Sequence, residues 1–510
     1  TFLRYIEQVL PSLGESGVVQ MTIGDIVPGL SVQNDDPVDI AAIKGRAAFS
    51  RILREAVRLI PRLPDRDQVL HVWNRRVTLR IKDVQEALSR ARRNGRPHNV
   101  ARESFAMGLM ELLAGRLIVE AGDASSTADI DPDDLKTWMS EIRDSVDARR
   151  AINLAWMPTQ ASAFLRKLWS RPDLLVQANR KAGTPLSVED LNLLYRAQEE
   201  PLTVSDIPLI DELEELLGTL DLASAQKRRA EEQREKEERE RANEALKATG
   251  LGGGIVTADM LMRQTQEAPS LRPLAERARA DRSWTYGHIV IDEAQDLSPM
   301  AWRCLLRRCP SRSMTVVGDL DQKRGHRRPD SWKHALGPAA RAFSEEFVLS
   351  ISYRTPRALT RIAQAVLAQH GTPVLYPMEA VRDVPDCYQV SHTHSDSLKD
   401  RVSQVVSTME ERLDREEGEG KGRICVIVPD TQAHLWHADE SGASALDQRV
   451  SYLTAAGSKG LEFDSVVVVE PREILDQGSG DLFVALTRAT HDLHAVTTTQ
   501  LPRGMEEWGA

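Results

Sequence analysis

Short apolar runs that end in polar residues recur along the C-terminal half of the chain. Residues 288–291 lead into Asp292-Glu293, and residues 314–317 lead into a polar turn at Gly318-Asp319. Runs this short and this rich in β-branched residues predict buried strands of a parallel sheet. Open α/β sheets bind ligands at the carboxyl ends of their strands, so we expect Asp292 and Glu293 to lie at a ligand crevice.

The same pattern divides the rest of the chain. Residues 1–30 predict a helix together with a strand at residues 18–22, and residues 40–220 predict helices with a short strand around residues 77–81. Strands and helices alternate again from residue 285 to the C-terminus. This order predicts an α/β fold with two parallel-sheet domains, in which a large, mostly α-helical insertion splits the first domain.

Composition and charge narrow the function classes. Hydrophobic residues make up 41% and charged residues 28% of the 510 residues, which is enough apolar material for several cores. No apolar run is long enough for a membrane span, and no signal peptide is recognisable. The four cysteines lack the spacing of a zinc site. We therefore expect a cytoplasmic protein without a membrane partner. The net charge of -10 disfavours a protein that coats DNA through bulk positive charge.

Three segments have a strongly biased charge. Residues 44–102 are Arg-rich, which indicates either solvated helix faces or a surface for an acidic or phosphate-bearing partner. Residues 120–134 contain six acids, typical of an exposed loop that is solvated or that reaches a metal or a basic channel. Residues 226–247 predict a charged helix without a continuous apolar seam, ended by glycines at 252–254.

Side chains near the strand ends suit ATP chemistry. Asp292 is placed to hold Mg²⁺ and Glu293 to orient or deprotonate an attacking water, although an acidic pair after a strand also serves as an ordinary helix N-cap. Gln322 is placed to sense a terminal phosphate. Tyr353-Arg354 combines a ring that can stack on a base with a guanidinium that can neutralise transition-state charge.

Five blocks of sequence carry a family resemblance. Residues 288–296, 314–322, 349–356, 452–464 and 483–489, in this order, resemble the later motifs of the UvrD and Rep branch of helicase-like ATPases. The resemblance implies two RecA-like domains with ATP and Mg²⁺ between them. It assigns the metal to Asp292. It assigns catalysis to Glu293, Gln322, Arg354 and Arg488, of which the two arginines would be arginine fingers. It assigns nucleotide binding to Tyr353, Lys459, Gly460 and Glu462, with Tyr353 on the adenine and Glu462 on the ribose.

The sequence also departs from that branch. It contains no Gly-x-x-x-x-Gly-Lys-Ser/Thr, so the Walker A loop that cradles the phosphates is absent. Two explanations are open: the chain is a fragment, or the protein is catalytically inactive. We expect a fragment, as a start at Thr1 also suggests, and no substantial ATP turnover by this chain alone. No large aromatic residue follows Gln322 before Trp332, and Ala456 replaces a strand-contacting His of the branch, so the DNA-handling parts are reduced.

A second resemblance covers the whole chain. Residues 2–14 and 292–300 resemble the HelD family of bacterial RNA polymerase-associated ATPases. This implies a monomeric, nucleoid-associated transcription factor that binds RNA polymerase, opens its clamp and releases nucleic acid or stalled complexes, with DNA as a further ligand. It also implies a first RecA-like domain at residues 1–34 and 251–345, a clamp-opening insertion at 35–250 and a second RecA-like domain at 346–510. The acidic segment would then probe the primary channel of the polymerase.

Two other functions stay open at this point. A UvrD-type DNA helicase or repair translocase would show ATPase activity that single strands stimulate. A non-catalytic polymerase-binding protein would keep only a relic of the ATPase fold. The joint presence of Asp292, Glu293, Gln322, Arg354 and Arg488 argues against the relic.

Overall fold

The computed structural model describes residues 18–121, 130–183, 186–218, 274–325, 327–438 and 448–506. The chain divides into two compact units, which we call the helical unit, residues 27–34 and 47–280, and the sheet unit, residues 1–26, 35–46 and 281–510. The charged helix predicted at 226–247 and the glycines at 252–254 lie outside the described residues. Within the described ranges, no helix is long and apolar enough to cross a membrane.

The described residues of the helical unit form helices and an antiparallel β-hairpin. The hairpin pairs β1 (Gln68–Val72) with β2 (Arg75–Leu79), which confirms the predicted short strand in a mostly helical region. Alternate hairpin residues such as Leu70 and Val77 join a core with Phe105 and Trp156. The helices are Phe49–Arg58, Ile81–Arg92, His98–Ala121, Pro132–Asp144, Val146–Ala155, Ala161–Ser170, Pro172–Lys181, Val188–Leu193, Ile207–Leu217 and Leu274–Ala280.

The acidic segment is not the single exposed loop that the sequence predicts. Glu120 lies in the last turn of one helix, and Asp133 and Asp134 lie in the first turn of the next. Asp131 caps that second helix, because its carboxylate accepts the backbone N–H of Asp133 at 2.8 Å. Acids at a helix N-terminus are stabilised by the free N–H groups there, which explains the helix start. Residues 122–129 lie outside the described part of the chain.

The sheet unit contains the parallel strands. They are β3 (Ile289–Ile291), β4 (Met314–Val316), β5 (Ile351–Ser352), β6 (Glu379–Ala380), β7 (Tyr388–His392), β8 (Ile424–Val428), β9 (Val450–Thr454), β10 (Phe463–Val469) and β11 (Ala489–Thr497). β7 to β11 form a five-stranded sheet in the order β7-β11-β10-β8-β9, while β3 pairs with β4 and β5 with β6. All these pairs are parallel. The α/β class with parallel sheets is thereby confirmed.

Helices cover both faces of the five-stranded sheet. In β8, Cys425 and Ile427 join one apolar core and Val426 joins another, as the period of two along a strand requires. Helix Arg357–Gln369 contributes to the first core and helix Leu398–Glu416 to the second. The other α-helices of the unit are Val38–Lys44, Pro299–Arg308, Trp332–Ala335, Ala433–Trp436, Pro471–Gln477 and Ser479–Leu486.

The small β3-β4 sheet is covered less completely. On one face, Val290 is 71% exposed and Val317, just after β4, is 51% exposed. Parallel sheets are normally buried on both faces, so this face is unusually open.

Two further features concern the N-terminal part of the sheet unit. The strand predicted at residues 18–22 is wrong, since these residues pair with no strand and lead into a 3-10 turn at Ile23–Asp25. Strand formation by apolar residues depends on a neighbouring strand, which the pattern alone does not supply.

Farther along the chain, a buried ion pair lies close to helix Val38–Lys44. The Lys44 ammonium lies 2.7 Å from Asp36 Oδ2, and both side chains are buried.

Candidate functional site

The acidic pair stands directly after β3. Glu293 has a left-handed backbone, with φ 50° and ψ 37°, and its N–H donates to Asp292 Oδ1 at 2.9 Å. Glu293 precedes the short 3-10 turn Ala294–Asp296 but makes no side-chain capping hydrogen bond to it. The ordinary N-cap interpretation of the pair therefore finds no support in its contacts. A left-handed backbone at a non-glycine residue costs about 1–3 kcal/mol and is frequent at functional sites.

A relay of hydrogen bonds joins Glu293 to Gln322. The buried Gln295 amide donates to Glu293 Oε2 at 2.6 Å, and Gln295 Oε1 accepts the backbone N–H of Asp319 at 3.1 Å. Asp319 Oδ2 in turn accepts the Gln322 amide at 3.0 Å. Gln295 and Asp319 were not among the predicted site residues, although both lie inside the blocks that carry the resemblance. The relay fixes the two strand ends β3 and β4 to each other.

Lys459 reaches the same acidic turn from the loop after β9. Its ammonium lies 3.6 Å from Glu293 Oε2, donates to the Gln322 carbonyl oxygen at 2.9 Å and pairs with the Asp296 carboxylate. The Lys459 side chain is only 9% exposed. Next to it, Gly460 has φ +71°, and a side-chain carbon there would lie 3.8 Å from Glu293 Oε1. Both residues, predicted as nucleotide contacts, thus lie beside the acidic turn.

A cavity of about 190 Å³ lies where the carboxyl ends of β4 and β5 meet the amino ends of β10 and β11. Ligand sites are usually roughly 300–1,000 Å³, so this one suits part of a nucleotide. Four of the predicted site residues line it, whereas Asp292, Glu293 and Tyr353 do not. The lining residues are Gln322, Ser352, Arg354, Thr355, Met378, Glu462, Thr487, Arg488, Ala489 and Thr490.

Arg488 is the best anchored cation of the cavity. Its Nη2 donates to Gln322 Oε1 at 3.4 Å and its Nη1 to the Leu461 carbonyl oxygen at 3.3 Å. Burial lowers the pKa of the Arg488 guanidinium, while Glu293 and Glu462 act in the opposite direction. A guanidinium still keeps its charge at neutral pH. The cavity therefore holds a fixed positive charge beside the Gln322 amide.

The second cation is far more accessible. Arg354 pairs with the Glu462 carboxylate, and the two side chains are 75% and 41% exposed. An exposed pair of this kind contributes little to stability, so its partners are free to exchange for a ligand. Tyr353, predicted to stack on adenine, is 69% exposed and follows β5. The structure thus brings together Gln322, the two arginines and Glu462, and leaves Tyr353 in solvent.

The acids fit a metal that arrives with a nucleotide. Among the described residues, no group of three or more His, Cys, Asp or Glu is arranged to hold a metal ion. Asp292 nevertheless offers an exposed carboxylate at a strand end. Protein-bound Mg²⁺ typically uses one or two carboxylates together with phosphates and water, so one such carboxylate suffices.

Two family models match the chain. The model of the UvrD/REP helicase N-terminal domain matches residues 160–323, and that of the viral superfamily 1 RNA helicase core domain matches residues 255–497. No curated protein matches.

Solved helicase structures share low similarity with the chain. The C-terminal domain of a possible DNA helicase from Lactobacillus plantarum is 19% identical, with a TM-score of 0.21, and the match covers 30% of this chain and 92% of that domain. Arterivirus nonstructural protein 10, a helicase, is 16% identical over 44% of this chain and 42% of its own length, with a TM-score of 0.26. In the structure of an arterivirus nonstructural protein 10 with DNA, the helicase is 17% identical to this chain, with a TM-score of 0.25. That match covers 42% of this chain and 40% of the helicase.

The chain therefore spans about two fifths of the arterivirus helicases. TM-scores of this size carry no weight for the fold or the function. The family models do carry weight, because both describe helicases and together they span residues 160–497. They support a helicase-like superfamily for this chain.

Proposed function

We propose that this chain forms part of the ATP site of a helicase-like ATPase. The observation that carries the proposal is the grouping of Gln322, Arg354, Glu462 and Arg488 around one cavity, at the ends of strands from separate sheets. Two guanidiniums and an amide that face one small cavity match the needs of a transferring phosphoryl group, whose negative charge must be neutralised. Glu462 offers a carboxylate for a ribose hydroxyl.

Each side chain then has a distinct task. Arg488, held by Gln322 and two backbone carbonyls, presents fixed charge to the terminal phosphate. Arg354 exchanges Glu462 for phosphate when a nucleotide enters. Glu293, oriented by Gln295, accepts a hydrogen bond from the attacking water. Asp292 would hold Mg²⁺, which when bound neutralises phosphate charge.

We further propose a HelD-type role, in which the ATPase binds RNA polymerase and remodels it. Support comes from the resemblance at residues 2–14 and 292–300 and from the missing aromatic residue and His that handle single strands in the UvrD branch. A UvrD-like helicase or translocase is the second candidate, since the UvrD/REP model matches residues 160–323. The two differ in whether polymerase or nucleic acid is the primary partner.

Nucleotide binding tests the site itself. We expect the chain to bind a fluorescent ATP analogue weakly and without substantial turnover, because the sequence contains no Walker A lysine. Loss of a charged hydrogen bond costs about 1.5–3 kcal/mol, so Arg488→Ala should weaken binding roughly 10- to 100-fold. Arg341→Gln, an exposed arginine elsewhere in the sheet unit, is the control and should have no effect.

One outcome contradicts the proposed site, and another contradicts the expected lack of turnover. Binding that Arg488→Ala leaves unchanged would remove the cavity as the nucleotide site. Clear hydrolysis by this chain, abolished by Glu293→Gln, would show that no further lysine is needed.

Partner choice is tested separately. We expect purified bacterial RNA polymerase to co-elute with the whole chain in size-exclusion chromatography. In a longer protein that supplies the Walker A lysine, we expect polymerase to stimulate ATP hydrolysis more than single-stranded DNA does. Stimulation by single strands alone, without polymerase binding, would favour the UvrD-like candidate instead.

A further inference from the structure

An exposed tryptophan stands at the tip of the hairpin in the helical unit. Val72 pairs with Arg75, so the connecting loop consists of only Trp73 and Asn74. Trp73 has φ +50° and is 77% exposed. The first position of such a loop favours Gly, Asn or Asp, because a side chain is strained there. Neither the turn nor the packing of the hairpin accounts for a large indole at this position.

Two arginines follow the tryptophan directly. Arg75 and Arg76 are exposed, and neither makes an ion pair with any described residue. Opposite Arg76 stands His71, whose ring Nδ1 and backbone N–H lie 3.0 Å and 3.1 Å from Asp147 Oδ2. The Asp147 carboxylate is thus already engaged by His71. The tip therefore offers an aromatic surface next to two arginines that pair with no carboxylate of the described residues.

The segment around the hairpin extends this charge. Residues 44–102 contain 16 Lys and Arg against 5 Asp and Glu, whereas the whole chain has a net charge of -10. Such a local excess within an acidic chain favours a negatively charged partner.

We infer that the hairpin tip is a contact site for single-stranded nucleic acid, in which the Trp73 indole stacks on a base and Arg75 and Arg76 contact phosphates. A single strand is favoured over a duplex because an unpaired base offers a free face to an aromatic ring. The guanidiniums beside the ring then contact the backbone of the same strand. This site lies in the helical unit and does not rest on the proposed nucleotide cavity.

The affinity of the whole chain for a fluorescein-labelled oligothymidine of about 20 nucleotides tests the stacking contact. Stacking is worth about 1–3 kcal/mol per base, so Trp73→Ala should weaken binding roughly 5- to 100-fold, and Trp73→Phe less. Trp73→Gly suits the left-handed backbone, so it should fold at least as well as the parent and still lose affinity as Trp73→Ala does. Unfolding is thereby excluded as the cause.

Salt dependence tests the cations. Each phosphate contact adds about 0.7 to the slope of log affinity against log salt for a single strand, so Arg75→Gln with Arg76→Gln should reduce that slope by roughly 1.4. The matched control, Arg341→Gln with Arg361→Gln, removes two exposed arginines of the sheet unit and should leave it unchanged. Glu293→Gln should also bind the oligonucleotide normally, which separates this site from the nucleotide cavity.

The inference is overturned if Trp73→Ala and Trp73→Gly bind oligothymidine as tightly as the parent. It is equally overturned if the hairpin variants lose RNA polymerase but keep the oligonucleotide, because an indole flanked by arginines then serves a protein interface.

Discussion

His494 makes the stability of the sheet unit depend on pH. It lies in β11, is buried, and its Nε2 is 2.7 Å from Ser391 Oγ. Burial, the largest cause, and the nearby Arg401 together lower the pKa of His494 from 6.5 to about 4, although Asp492 acts in the opposite direction. The folded protein therefore keeps this imidazole neutral at pH values where an unfolded chain would protonate it.

The size of the effect follows from the two pKa values. Above pH 6.5 both states carry a neutral ring, so His494 changes nothing. As the pH falls from 6.5 towards 4, the unfolded state binds a proton that the folded state excludes, and stability is lost. At about pH 5 the loss amounts to roughly 2 kcal/mol, which for a unit of this size lowers Tm by roughly 4–8 °C.

Thermal unfolding of matched variants measures this contribution. His494→Gln removes the titrating group, so its Tm should fall less than that of the parent between about pH 7.5 and about pH 5. His392→Gln, at an exposed position in β7, is the control and should fall as the parent does. If His494→Gln loses stability as steeply as the parent, the imidazole is not kept neutral by the fold, and the reasoning fails.

Two other substitutions probe packing. Lys44→Met removes the cation of a buried ion pair and should cost about 3–5 kcal/mol in urea unfolding, whereas Lys136→Met, in a pair with side chains 76% and 87% exposed, should cost less than about 1 kcal/mol. Similar losses for both would contradict the burial of Lys44. Gly480→Ala would place its new carbon against the backbone next to Gln322, so we expect a loss of about 1–3 kcal/mol and weaker nucleotide binding. Gly108→Ala, in open space within a helix, is the control and should stabilise the protein slightly, and an equal loss there would refute the clash.

The sequence predicts those parts of the site that depend on strand ends. A β-branched run followed by acids fixes both the strand Ile289–Ile291 and the place of Asp292-Glu293, because a buried parallel strand must emerge into a polar loop. Gln322 follows β4 for the same reason. Arg488 precedes β11, and its nearness to Gln322 came from the resemblance, since no local pattern links residues so distant in sequence.

Long-range contacts lie beyond such patterns. The pairing of Lys459 with Asp296, and the close approach of Gly480 to the Gln322 loop, arise from how the sheets are positioned. The wrong prediction of a strand at residues 18–22 has a similar origin, because an apolar segment forms a strand only where a neighbouring strand pairs with its backbone. The domain boundaries and the individual residue roles stay predictions.

The open face of the β3-β4 sheet has a consequence for handling the protein. Among the described residues no further strand pairs with β3 or β4, and an unpaired strand edge beside exposed valines is a template onto which another polypeptide can add a strand. Because the acidic turn begins where β3 ends, a strand added to β3 would lie beside Asp292 and Glu293. Self-association through this edge would then also obstruct the proposed nucleotide site.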